Sequence, residues 1–122
     1  MVSLFPHILF LIEVVKLYVV KIMNEFLHGP VWVYYDGIAV RNFPLIYGDP
    51  IIKDLNDQAN EMFSAYYEFD SHDVACWFNS EKERAEKTQM LSIINKIIER
   101  LAEINDGSFV VEDYETPKLN AL

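Results

Sequence analysis

Cysteine is almost absent from this chain. The single Cys76 excludes an internal disulfide and any cysteine-based metal site, and a reducing compartment suits it. Basic residues are also scarce. Ten Lys and Arg stand against nineteen Asp and Glu, a formal net charge of −9 over 122 residues. Nucleic-acid binding needs Lys and Arg that displace counterions from phosphates, so DNA and RNA are poor partners for such a surface. Clusters of basic residues with interleaved aromatics are missing too. Lys82, Arg84 and Lys87 are interspersed with Glu81, Glu83 and Glu86, the pattern of a salt-bridged helix surface. The chain has no Gly-rich phosphate loop, HExxH, GxSxG or CxxC, and no repeat or long linker. No catalytic residue, metal or cofactor is assigned on this basis.

What is present is apolar. A hydrophobic fraction of 52% excludes a disordered acidic tail, because such tails lack aromatic and branched aliphatic residues. The length suits one domain with a single core. The surplus of carboxylates therefore lies on a folded surface, where it attracts basic proteins and speeds their capture by steering.

Met1–Ile22 is the most apolar stretch. It carries Glu13, Lys16 and Lys21, which leaves −10 on Met23–Leu122. Glu13 and Lys16 would each cost about 2.5–3.5 kcal/mol near the centre of a membrane span. A secretory signal fits poorly, since no Lys or Arg precedes the apolar run. Ile8, Ile12, Val15, Val19, Ile22 and Phe26 recur at helical spacing. Residues 1–22 are thus expected to be an amphipathic helix, packed or lying on a membrane, or an over-extended start with Met23 as the natural first residue. Residues 23–122 form the expected domain.

Asp36-Gly37 predicts a type I′ hairpin between strands at about 31–35 and 38–42. Asp49 and Pro50 predict the N-cap and first position of a helix that ends near Ala65. Its inner face is Ile52, Leu55, Ala59, Met62, Phe63 and Tyr66. Two short strands are expected around the break Asp70-Ser71-His72-Asp73, with Val74, Cys76 and Phe78 facing the core. Ser80 and Glu83 suggest a capping box that opens a long helix running to Asn105-Asp106-Gly107. Phe109–Val111 reads as a last strand, and residues 112–118 as an exposed polar end. The expected fold class is α+β: about five short strands in a mostly antiparallel sheet, with two main helices on one face.

Few residues suggest chemistry. His72 with Asp73 or Cys76 is the only local set resembling a nucleophilic group, but a buried Cys76 and an exposed turn at His72 account for it better. The acidic and aromatic residues form a more consistent pattern. Tyr34 and Asp36 share one hairpin; Tyr67, Glu68, Asp70 and Asp73 share another; Glu112, Asp113 and Glu115 follow the last strand. Tyrosine favours interface centres and carboxylates pair with Lys and Arg, so these nine residues are the candidate partner-binding set.

The segments FDSHDVACWF at 69–78 and NDGSFVVEDYET at 105–116, the long helix after Ser80 and the WVYYDG hairpin together resemble immunity proteins of bacterial polymorphic-toxin and contact-dependent growth inhibition systems. The resemblance covers most of Met23–Leu122. It implies a small, acidic, cytoplasmic protein that binds the toxic C-terminal domain of a cognate effector, often a basic nuclease, and blocks it. No contact residue is carried over from it. Two other readings remain: a membrane-associated regulator anchored through residues 1–22, and a small enzyme using His72 and Cys76.

Overall fold

A computed structural model describes residues 16–122. The strands are β1 (Tyr18–Ile22), β2 (Val31–Tyr35), β3 (Ile38–Val40), β4 (Tyr67–Ser71), β5 (Val74–Phe78) and β6 (Phe109–Asp113). The helices are α1 (Pro44–Tyr47), α2 (Pro50–Ser64), α3 (Ser80–Ala85), α4 (Lys87–Ile104) and α5 (Glu115–Asn120). The architecture is α+β. A four-stranded sheet runs in the order β3-β2-β1-β6, and β4 and β5 form a separate two-stranded hairpin. All pairs are antiparallel except β1 with β6.

The largest departure from expectation lies in the N-terminal segment. Ile8, Ile12 and Val15 of the anticipated helical stripe lie outside the described residues. Val19 and Ile22 do not continue a helix: Tyr18–Ile22 is a strand, paired with β2 on one side and β6 on the other. The same residues satisfy both periods. Tyr18, Val20 and Ile22 alternate with Val19 and Lys21, and β-branched Val and Ile suit the pleat. Pairing on both edges decides the matter, and Val20 and Ile22 are completely buried. The sheet thus crosses the expected boundary between residues 22 and 23. Among the described residues no helix is long and apolar enough to cross a membrane.

The core lies between the sheet and two helices. Val20, Ile22, Val31, Val33 and Phe109 face Ile52, Ala59 and Phe63 of α2 and Met90, Ile93, Ile94, Ile97 and Leu101 of α4. Asp49 caps α2 by accepting the Ile52 N–H at 2.9 Å, with Pro50 at the first helical position. Asp36 and Gly37 both have positive φ, as a type I′ turn requires.

Four further details differ from expectation. The helix after β5 begins under Asn79, whose side chain accepts the Lys82 N–H at 3.0 Å, so the Ser80–Glu83 box does not form. That helix also breaks at Glu86 into α3 and α4. The segment after β6 is not an exposed end: it forms α5, with Glu115 and Leu119 buried. Val74 and Cys76 are exposed rather than packed in the core. Their alternation is as expected, but β4 and β5 belong to the separate hairpin. Phe78 and Tyr67 pack on the main core, while the hairpin end carrying Val74 and Cys76 lies beyond it.

Candidate protein-binding surface

The nine candidate residues separate by place and role. Tyr34 lies on the face of the main sheet away from the helices, with the Lys21 ammonium 4.6 Å from its ring centre. Asp36 occupies the β2–β3 turn, 3.3 Å from Lys16. Glu112 shares the sheet's outer face and accepts the Tyr114 hydroxyl at 2.6 Å, which pushes the phenol's pKa up.

Asp113 and Glu115 serve the fold. Asp113 accepts the N–H groups of Glu115 and Thr116 at 3.0 Å and so opens α5. Glu115 is 2% exposed and accepts the Asn24 N–H at 2.8 Å. Burial raises its pKa above the ordinary glutamate value, and the Asn24 N–H opposes the shift. The side-chain atoms of Asn24 and Oε2 of Glu115 have no partner among the described residues. Glu115 is too buried to meet another protein, whereas Asp113 is half-buried.

The β4–β5 hairpin holds the other four. Tyr67 is an anchor, packed against Phe26, Phe63 and Phe78 with ring centres 4.8, 5.8 and 5.0 Å away. Glu68 accepts from Asn79 at 2.9 Å. Asp70 and Asp73 are exposed with positive φ, and His72 and Asp73 form a two-residue turn in which both φ are positive. Asp and His tolerate that region better than most non-glycine residues.

Asp36 does not share a surface with this hairpin. It follows Tyr35, opposite Tyr18, whereas the hairpin meets the loop that leaves Ile22 at the other end of β1. A strand of that length spans roughly 15 Å. The acidic–aromatic segments therefore form more than one surface.

His72 and Cys76 are not brought together. His72 stacks on Trp77 at 3.7 Å and shares a hydrogen bond with Ser71, whereas Cys76 pairs across the hairpin with Phe69 on the other face. Among the described residues no group of three His, Cys, Asp or Glu side chains is placed to hold a metal ion.

The loop Met23–Pro30 was missed by sequence reasoning. It links the outer sheet face, where His28 stacks on Trp32 at 4.1 Å, to the hairpin, where Phe26 meets Tyr67 and Phe69. At its tip Leu27 is 70% exposed with a φ of 62°. No composition signal marks a leucine in that conformation. No family model, curated protein or solved structure matches the chain.

Proposed function

We propose that this protein is a small acidic immunity protein that acts in the cytoplasm, binds a cognate basic toxin domain and neutralises it by charge-complementary occlusion. The domain is a nuclease in the simplest version, because a nuclease presents Lys and Arg to its nucleic-acid substrate. One observation carries the reading. The hairpin segment Tyr67–Asn79 presents Glu68, Asp70 and Asp73 and contains no Lys or Arg. Elsewhere several cations are engaged internally: Arg100 with Asp49 and Glu103, Lys53 with Asp57, Lys16 with Asp36. Carboxylates held at such a surface stand where phosphates would lie in a nuclease groove, and charge complementarity raises the association rate. The separation of His72 from Cys76 gives no support to an enzyme built on that pair.

Co-expression with the toxin domain encoded by the neighbouring gene tests the proposal. The expected result is cell survival and a complex on a sizing column that weakens with salt. Cell death despite abundant protein, with no complex formed, would overturn it.

A further inference from the structure

Four large apolar side chains of the Met23–Pro30 loop and the β4–β5 hairpin stand out from the main core. Leu27 is 70% exposed and Phe69 is 56% exposed. Phe26, half-exposed, lies between the loop and the hairpin with its ring centre 5.7 Å from that of Phe69. Val74 continues the same face of the hairpin as Phe69 and Cys76. An isolated fold gains nothing from this arrangement, since apolar area stays in water and Leu27 adopts a backbone conformation unfavourable for a side chain with a Cβ.

The loop is nevertheless held firmly. Leu27 N–H donates to Ser64 Oγ at 3.0 Å, Asn60 Nδ2 to the Glu25 carbonyl at 3.3 Å, and Trp32 Nε1 to the Met23 carbonyl at 2.9 Å. A Cβ on Gly29 would fall 2.5 Å from Trp32 Nε1, so the indole is packed directly on the loop backbone. The exposed leucine is thus presented by a braced turn, the kind of preorganisation that lowers the entropic cost of binding.

We propose that Leu27, Phe26 and Phe69 form the apolar centre of a docking surface for a basic protein segment in which Lys or Arg flank apolar side chains. The inference rests on the acidic-inhibitor reading and deepens it by naming the surface. Charge complementarity selects the occupant. The two segments that form the patch, Met23–Pro30 and Tyr67–Asn79, carry Glu25, Glu68, Asp70 and Asp73 and no Lys or Arg. An apolar centre with a charged rim is the usual anatomy of a protein interface. A second copy of this chain would set the same carboxylates against each other, and an anionic membrane would be repelled in the same way.

Cys76, the chain's only thiol, is exposed directly opposite Phe69 and reports occupancy. The test follows its alkylation by N-ethylmaleimide in the full chain at low salt, with an alternating Lys-Leu peptide or a Lys-Ser peptide of equal length and charge. Binding of each peptide is measured separately by fluorescence anisotropy. The Lys-Leu peptide is expected to slow alkylation about tenfold, with Leu27→Gly and Phe69→Ser each removing most of the protection. Ile51→Ser, in the groove between α2 and α4, is expected to leave it unchanged. Leu27→Gly is suited to its positive φ, so its melting temperature is expected to be no lower than the parent's and loss of binding cannot be assigned to unfolding. Three results would overturn the proposal while leaving the acidic reading intact: equal salt-sensitive binding of both peptides without protection of Cys76, protection indifferent to Leu27→Gly and Phe69→Ser, or protection that rises with protein concentration alone and so assigns the patch to a second copy. Binding of neither peptide would remove both.

Discussion

The Asp49 carboxylate grips the Arg100 guanidinium with both oxygens, at 2.7 Å to Nη2 and 3.1 Å to Nε, while the same side chain caps α2. One residue therefore starts a helix and ties it to α4. Planar two-point pairing is the geometry in which an Arg–carboxylate contact is strongest.

Two substitutions separate these roles. Asp49→Ala removes both and is expected to cost about 1–2 kcal/mol from the lost cap alone. Asp49→Asn keeps a good capping oxygen and loses only the charge, so its loss is expected to be smaller. Hydrogen bonding to Arg100 holds the Asp49 pKa below the ordinary value. Its contribution is therefore present above the ordinary carboxylate pKa and fades as pH falls through the lowered one. Urea titrations of both variants at neutral and acid pH check the ordering. Equal losses for Ala and Asn would show that the ion pair, and not the cap, dominates.

Glu115 has the opposite sign. Burial raises its pKa, so the folded state is penalised once the carboxyl ionises. Stability from this group is complete below the unfolded glutamate pKa and is lost as pH rises through the raised folded value. Glu115→Gln keeps an oxygen for the Asn24 N–H and brings an amide donor near the unpartnered Asn24 side chain. The variant is expected to gain about 1 kcal/mol at pH 7 and to lose the decline above the acid range. A Gln variant less stable than the parent at pH 7 would show that the ionised carboxylate is better satisfied than its surroundings indicate.

These two carboxylates show which parts of the chain are legible from its residues. As helix cap and turn residue, Asp49 and Asp36 act through immediate neighbours, Pro50 and Gly37, and local chemistry identifies those roles, though not the Asp49 pairing with Arg100. Glu115 looks like a solvated acid because what decides its fate is Asn24, far away in the chain, whereas Asp113 opens α5 through the adjacent Glu115 and Thr116 N–H groups. Tyr18–Ile22 is ambiguous for the same reason: its residues fit two periods, and only pairing with β2 and β6 selects the strand. The break at Glu86 has neither glycine nor proline to announce it. Cys76 has the alternation of a core residue, yet the hairpin outruns the core it would enter. Of the candidate surface, the hairpin acids are readable from composition, whereas Leu27 is not, because nothing in a sequence marks a leucine bound for positive φ.

The position of β1 gives a direct consequence. Its residues Val20 and Ile22 are completely buried, and both its edges are paired. A chain begun at Met23 would lose two core side chains and separate β2 from β6. Burying one such side chain is worth about 1.5–3 kcal/mol, and a domain of this size has only about 5–15 kcal/mol in total. The shortened chain is expected to lose its cooperative unfolding transition, whereas one begun at Lys16 keeps it. Circular dichroism with thermal melting distinguishes them. A sharp transition in the Met23 chain would mean that the sheet can close without its central strand.

Charge at the hairpin tip should act on capture rather than on retention. Asp70 and Asp73 are exposed, and neither is hydrogen-bonded through its side chain among the described residues, so they contribute a field more than contacts. Asparagine tolerates positive φ as well as aspartate does, so the double substitution Asp70→Asn with Asp73→Asn preserves the turn. Against the proposed basic toxin domain, the association rate at low salt is expected to fall by roughly threefold to tenfold, with little change in dissociation. The gap between variant and parent should close as salt rises toward about 1 M, where the screening length shrinks to about 3 Å. Stopped-flow mixing across a salt series reads both rates. A fall confined to the dissociation step, or one insensitive to salt, would mean that these carboxylates make short-range contacts instead of steering the partner in.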